Sequence, residues 1–357
     1  MLFRRTIILA SILAATIAAA AAATNGEYVP PGESATMQRI VDIFERLVTR
    51  EYQRGGVARR GAHAKAHGCV RAKVSVRGDL PASLRHGVFS SARDYSAWVR
   101  FSNGSGEVQA DAPPDGRGMA IKLLGVNGPM LLDDERHTQD FLMIDFPVFF
   151  ISDVAEYESL AQALAKNDFK AFLATHPRTA TIVGQIAAAH TRDVLTDTYF
   201  SMSPYQLGSI YVKFAAFPVV CDSGAPLAPK GLPAGIDPNY LRERLSTDLA
   251  GAPACFDFRV QPRTDPARMP VEDPTVLWDP KAAPYVTVAR ISIPSQRFDT
   301  PQQQAFCENL SYTPWHGTRD FRPVGGINRL RLFVYRAISK LRHSLNNAQF
   351  VEPKGMR

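Results

Sequence analysis

Seven short segments, 69–76, 97–101, 119–124, 141–145, 209–217, 256–260 and 285–293, constrain this chain more than anything else in it. They are rich in valine, isoleucine and aromatic residues, and several alternate apolar with polar positions, the period of a half-buried strand. They do not alternate with helices, which argues against a parallel Rossmann sheet. Seven or eight strands closing on themselves, with helices outside, is the economical architecture. Helical periodicity appears at 34–52, where Ile40, Ile43, Phe44 and Leu47 share a face, and again between 155 and 190, with Leu160, Leu164 and Phe172 as candidate core residues. Segments 221–238 and 261–284 are rich in proline and read as loops, and no tandem repeat is visible.

A third helix is predicted from Asn328 to Arg342, with Leu330, Val334, Ile338, Leu341 and Leu345 as its apolar stripe. Arg331, Tyr335 and Arg342 lie at i, i+4 and i+11, so they point roughly the same way. Tyrosine titrates near pH 10 in water, but a guanidinium within about 4–6 Å favours its anion, and a phenolate is a good ligand for ferric haem iron. Taken alone, the same residues also describe a basic amphipathic helix with an interfacial tyrosine, resting on a membrane surface.

Residues 1–23 begin with Arg4 and Arg5, continue as an alanine-rich apolar run and end in small residues. That is the pattern of a secretory signal, cut between Ala20 and Thr24; an uncleaved anchor competes with it, and Arg4-Arg5 also raises twin-arginine export. A periplasmic or secreted location is therefore expected, where disulfides form. The four cysteines, Cys69, Cys221, Cys255 and Cys307, contain no C-x-x-C pair. Cys221 with Cys255 is the preferred bridge, against four buried thiols. The net charge of +7 suggests an anionic ligand or surface, without the lysine-arginine tract of a nucleic-acid binder.

His63 and His67 stand at helical spacing, but Ala64-Lys65 follows where a zinc hydrolase needs a glutamate, which leaves His63 either as an acid-base group working alone or as a histidine satisfied in a turn. The context of His63 then carries a resemblance. Arg60-Gly-Ala-His-Ala-Lys65 resembles the distal-histidine segment of haem catalases. Trp98-Val-Arg-Phe-Ser102 followed by Gly106-Glu107, Asp115-Gly-Arg-Gly-Met-Ala-Ile-Lys122, Pro147-Val-Phe-Phe-Ile-Ser-Asp153 and Arg331-Leu-Phe-Val-Tyr335 resemble four further catalase segments in the same order.

By this resemblance the chain is identified as a short, divergent member of the haem-catalase superfamily. It implies an α+β fold with an antiparallel eight-stranded β-barrel and surrounding helices, in a single haem-binding domain over 24–357. It also implies haem b (iron protoporphyrin IX). His63 becomes the distal acid-base, Ser102 its tautomer-fixing partner and Tyr335 the axial iron ligand. Arg331 would hold the phenolate, and Arg60, Arg100 and Arg342 would pair with propionates. Phe149 would line the distal pocket, and Tyr157 takes the place of a phenylalanine that stacks on the porphyrin.

The departures are specific. Where catalases place the asparagine that orients peroxide, this chain has Ile144 followed by Asp145, so Asp145 reaches the distal pocket only after a one-residue shift; beside His63 it would raise the imidazole pKa. The N-terminal arm and C-terminal domain of catalases are missing, which favours a monomer or dimer. The function implied is an exported peroxidase or weak catalase acting on hydrogen peroxide or organic hydroperoxides. Isomerisation or dehydration of fatty-acid hydroperoxides, as in the allene oxide synthase branch, and haem binding without catalysis are the alternatives.

Overall fold

The computed structural model describes residues 26–188, 191–228, 230 and 237–355; the expected leader lies outside them. In chain order the elements are α1 (Glu33–Gly55), β1 (Ala66–Val76), β2 (Asp94–Asn103), β3 (Arg117–Leu124), β4 (Thr138–Ile144), α2 (Val154–Ala165), α3 (Phe169–Thr175) and α4 (Pro177–Ala188). There follow β5 (Tyr199–Phe200), β6 (Tyr205–Leu207), β7 (Ile210–Val219), α5 (Tyr240–Gly251), β8 (Ala254–Pro262), β9 (Val286–Ile293), α6 (Pro301–Asn309), β10 (Phe321–Pro323) and α7 (Gly326–Leu345).

The sheet runs β7-β5-β4-β3-β2-β1-β9-β8, and β8 pairs back onto β7, so eight antiparallel strands close a barrel. The seven segments legible in the sequence supply seven of these strands. The eighth, β5, has two residues and closes the ring between β4 and β7. The short β6 and β10 extend one end of β7. Inward positions follow the strand period of two: Val70, Ala72 and Val74; Val99 and Phe101; Met119, Ile121 and Leu123; Phe256, Phe258 and Val260. Phe89, Phe141, Phe214, Phe258 and Phe321 fill the middle, with ring centroids 4.7–6.2 Å apart. A barrel of eight strands is just wide enough to be filled by side chains, so the lumen is core and any ligand site must lie outside it.

Outside, α1, α2 and α7 pack together through Met37, Ile40, Phe44, Val48, Ala161, Leu330 and Ile338. The helix α1 ends at Gly56, whose left-handed backbone (φ 70°) lets its N–H reach the Tyr52 carbonyl. At the start of α7, Arg329 binds Glu33 of α1 and Glu272 at 2.8–3.0 Å, while Glu272 also accepts the N–H of Gly326. Carboxylates at that terminus complement the helix dipole. No described helix is long and apolar enough to cross a membrane.

The Cys221–Cys255 bridge forms, and a second bridge joins Cys69 of β1 to Cys307 of α6. His63 and His67 do not share a helical face. His63 sits in a loop with left-handed backbone (φ 57°), and His67 is a buried residue of β1, 3.8 Å from Asp111. A two-histidine zinc site is thereby ruled out.

Candidate functional site

In β2, Val99 and Phe101 enter the barrel core, so Arg100 and Ser102 project from the outer face. Strand register then places Ser102 opposite Gly118 of β3, and Gly118 opposite Ile144 of β4. His63 lies on this row. A Cβ at Gly118 would stand 2.5 Å from His63 Nδ1 and 2.8 Å from Ser102 Oγ, so only glycine leaves room for the imidazole against the sheet. The loop is held there by backbone bonds from His63 N to Gly104 O and from Ala64 N to Ser105 O, and by Arg100 Nη2 donating to the His63 carbonyl at 2.8 Å.

His63 Nδ1 is 2.9 Å from the Asn103 carbonyl and 3.1 Å from Ser102 Oγ. A carbonyl only accepts, so Nδ1 carries the proton and Nε2 is left with its lone pair. The tautomer is thus fixed chiefly by a backbone group, Asn103, with Ser102 as a second partner. Burial pushes the imidazole pKa down to about 4, helped by the charges of Arg100, Arg331 and Arg60 against the Asn103 hydrogen bond. At neutral pH His63 is a base.

Asp145 does not join it. Its Oδ1 accepts the Arg117 N–H at 2.7 Å and its Oδ2 accepts the Thr191 hydroxyl at 3.0 Å. The one-residue shift needed to bring this carboxylate to His63 is blocked by the unbroken Gly118–Ile144 register, and the expected rise in imidazole pKa is replaced by a fall. Burial raises Asp145 itself to about 6. The distal wall is completed by an apolar group in which Ile144 packs with Phe149, Phe150 and Met202.

The three arginines expected to bind propionates do converge, around the end of α6. Arg60 binds Glu308 Oε2 at 3.1 Å and the carbonyls of Cys307 and Leu310 at 3.1 and 2.7 Å. Arg342 donates to the carbonyls of Glu308 and Leu310, and Arg100 Nη2 lies 3.9 Å from Glu308 Oε1. Three guanidiniums face one carboxylate, and Arg100 Nε has no hydrogen-bond partner among the described residues. Burial and the charge of Arg60 lower both Arg100 and Arg342 to about 9. The cluster is short of negative charge, and a group bearing two carboxylates, as haem does, fits that deficit.

On α7, Arg331 Nη1 turns to Ser203 Oγ (3.0 Å) and Asn328 Oδ1 (3.2 Å), and its guanidinium lies 5.2 Å from the Phe149 ring. No hydrogen bond links it to Tyr335, contrary to the role expected of it. The Tyr335 hydroxyl makes no hydrogen bond with any described residue and remains available as a ligand. Tyr157 is parallel to Phe149 (8°, centroids 6.3 Å apart) and also touches the α1–α7 layer. Burial, with Tyr335 nearby, raises its phenol to about 12. Sequence reading missed Asn103, Gly118 and Glu308: the first acts through its backbone, the second by lacking a side chain, and the third lies on a helix with weak periodicity.

The Catalase family model matches residues 25–182. A catalase-related peroxidase of Mycolicibacterium paratuberculosis (strain ATCC BAA-968 / K-10) is 27% identical over 295 residues, covering 76% of this chain and 90% of that protein. Among solved structures, a fungal catalase aligns with a TM-score of 0.65 at 19% identity, covering 85% of this chain and 62% of that one. Catalase A from Saccharomyces cerevisiae aligns at 0.64 and 20%, covering 82% and 63%. The chain therefore spans just under two thirds of the length of these solved catalases.

Proposed function

We propose, for a chain that is a divergent catalase-like protein, that it is an exported, haem b-dependent peroxidase reducing hydrogen peroxide or organic hydroperoxides, with little capacity for peroxide disproportionation. The observation that carries this reading is the distal row: a neutral histidine with a fixed tautomer beside Ile144 rather than an amide. Tyr335 would ligate the iron, Arg60, Arg100 and Arg342 would hold the propionates, and Phe149 and Tyr157 would flank the porphyrin. When bound, haem supplies cleavage of the peroxide bond and storage of two oxidising equivalents.

His63 Nε2 takes the hydroperoxide proton and returns it to the leaving oxygen, which departs as water or an alcohol. The Nδ1–H bond to Asn103 keeps the ring oriented through both transfers, because Nδ1 never has to change its proton. Ile144 offers no hydrogen bond to hold a second hydrogen peroxide for oxidation, whereas it suits the apolar part of an organic hydroperoxide. Export is supported by the leader-like residues 1–23 and by the pairing of all four cysteines.

Haem-loaded protein should show a Soret band that Tyr335→Phe loses, and peroxide-driven dye oxidation that His63→Ala lowers by about 10²-fold or more. A Soret band with no turnover above that of free haem, in the wild type as in His63→Ala, would leave a haem-binding protein without catalysis. Ile144 also favours a second reading, isomerisation or dehydration of fatty-acid hydroperoxides. A rearranged product formed from such a hydroperoxide without consumption of reductant would select it.

A further inference from the structure

Peroxidase turnover needs a reductant as well as a peroxide, and the flank of α7 offers a place for one. A cavity of about 430 Å³ opens along α7 beside Tyr335, Arg336, Ser339, Lys340 and His343, and Phe350 and His316 also line it. That volume lies in the lower part of the usual range for small-molecule sites, roughly 300–1,000 Å³. Tyr335 is common to this cavity and to the face of α7 that carries Arg331 and Arg342.

The lining is chemically specific. Arg336 and Lys340 are exposed and make neither a hydrogen bond nor a salt bridge with any described residue. Phe350 presents a ring that is 39% exposed and lies 5.6 Å, edge-on, from His343. The tail carrying it is anchored on both sides: Asn309 Nδ2 donates to Gln349 O at 2.8 Å, and Glu352 Oε1 accepts the N–H groups of Arg136 and His137 at 2.9 and 2.6 Å. The aromatic wall is therefore preset rather than formed on binding. The acidic group at the rim is Asp134, 3.5 Å from His316 Nε2. His316 is kept protonated by Asp134 and Asp140 despite its burial, so Asp134 is shared between this cation and Arg336, whose charge also lowers the Asp134 carboxyl; two cations and Lys340 thus face one rim carboxylate, and the rim keeps a surplus of positive charge.

We propose that this cavity is an electron-donor subsite and takes a small aromatic anion, a phenol bearing a carboxylate, with the ring on Phe350 and the carboxylate on Arg336 and Lys340. The inference rests on the peroxidase reading above. Two phenols each give up one electron and one proton, and the hydroperoxide takes both pairs: ROOH + 2 ArOH yields ROH + H₂O + 2 ArO•, the radicals leaving the protein. A donor seated here lies against the helix that carries the proposed iron ligand.

The test uses haem-loaded protein, 4-hydroxybenzoate as the anionic probe and 1,2-diaminobenzene as a neutral donor. Calorimetry reads binding of the anion, and peroxide-driven oxidation reads KM for both. Reversing two exposed charges, Arg336→Glu with Lys340→Glu, should raise Kd and KM for 4-hydroxybenzoate at least about tenfold, with no rise in KM for the diamine. Lys170→Glu, an exposed reversal on α3, should leave both constants for the anion unchanged. Equal Kd in the wild type and the double variant overturns the subsite. If the wild type oxidises neither donor, the peroxidase reading falls and takes the donor role with it. Binding lost on charge reversal would then still establish an anion site.

Discussion

At the scale of single residues, the site depends on the absence of one side chain. Gly118→Ala places a methyl group 2.5 Å from His63 Nδ1, and the imidazole must leave the Asn103 carbonyl to avoid it. Peroxide consumption should fall by about 10²-fold, with a stability loss of roughly 1–3 kcal/mol and the Soret band retained. Retention of full turnover would show that His63 does not need this seat. The pH profile follows from the same burial. Because the imidazole is pushed down to about 4, Nε2 stays unprotonated through the neutral range, and kcat/KM for peroxide should hold steady from pH 8 to about pH 6 and be halved near pH 4. An acid limb near pH 6.5 would indicate a solvated ring. The linked stability has a definite sign. With the folded pKa below the unfolded one, the unfolded chain binds more protons between pH 6.5 and 4, so this group's contribution is complete above pH 6.5 and is lost as pH falls toward 4.

At the scale of elements, α7 is the wall on which both sides of the site depend, and Arg329 sets its starting point. Its guanidinium is shared by Glu33, Glu272 and Glu27, all largely buried, and these ties fix α7 to the start of α1. Arg329→Met should cost about 3–5 kcal/mol, seen as a lowered melting temperature, because Glu33 and Glu272 lose their cation together while Glu27 keeps Arg322. Loss of less than about 1 kcal/mol would mean that the cluster is solvated and that apolar packing against Ile40 and Phe44 alone positions the helix. The short α6 has a different task. Its last turn supplies the carbonyls and the Glu308 carboxylate that collect Arg60, Arg100 and Arg342, and Cys307 ties that turn to β1.

At the scale of the whole molecule, an eight-stranded barrel filled with side chains acts as a rigid floor, and the chemistry sits on its outer surface under α7. The two disulfides tie distant parts of this arrangement. Cys69–Cys307 joins residues 238 apart in sequence and Cys221–Cys255 residues 34 apart. Reduction should lower stability by about 3–5 kcal/mol for each bridge on the loop-entropy account, measured by denaturant titration with and without reductant. Haem affinity should fall with loss of the first bridge, as Cys69→Ser with Cys307→Ser would report. An unchanged Soret titration in that variant would show that α6 holds its place without the covalent tie.

The periods of two and of 3.6 made seven strands and the main helices legible in the sequence. Spacing and order also made His63, Ser102, Tyr335 and the arginines stand out, because these residues act through side chains tied to their own local segments. What only the tertiary structure decided depends on register and on backbone. The two-residue β5 closes the barrel without a sequence pattern of its own. The Asn103 carbonyl fixes the His63 tautomer, Gly118 makes room for the ring, and Glu308 meets arginines from three separate segments. Ile144 and Asp145 are adjacent in sequence, and the sequence alone does not choose which of them faces the histidine. A strand turns successive side chains to opposite faces, so the Gly118–Ile144 pairing alone placed the apolar residue on the histidine's row and gave the carboxylate to Arg117 and Thr191.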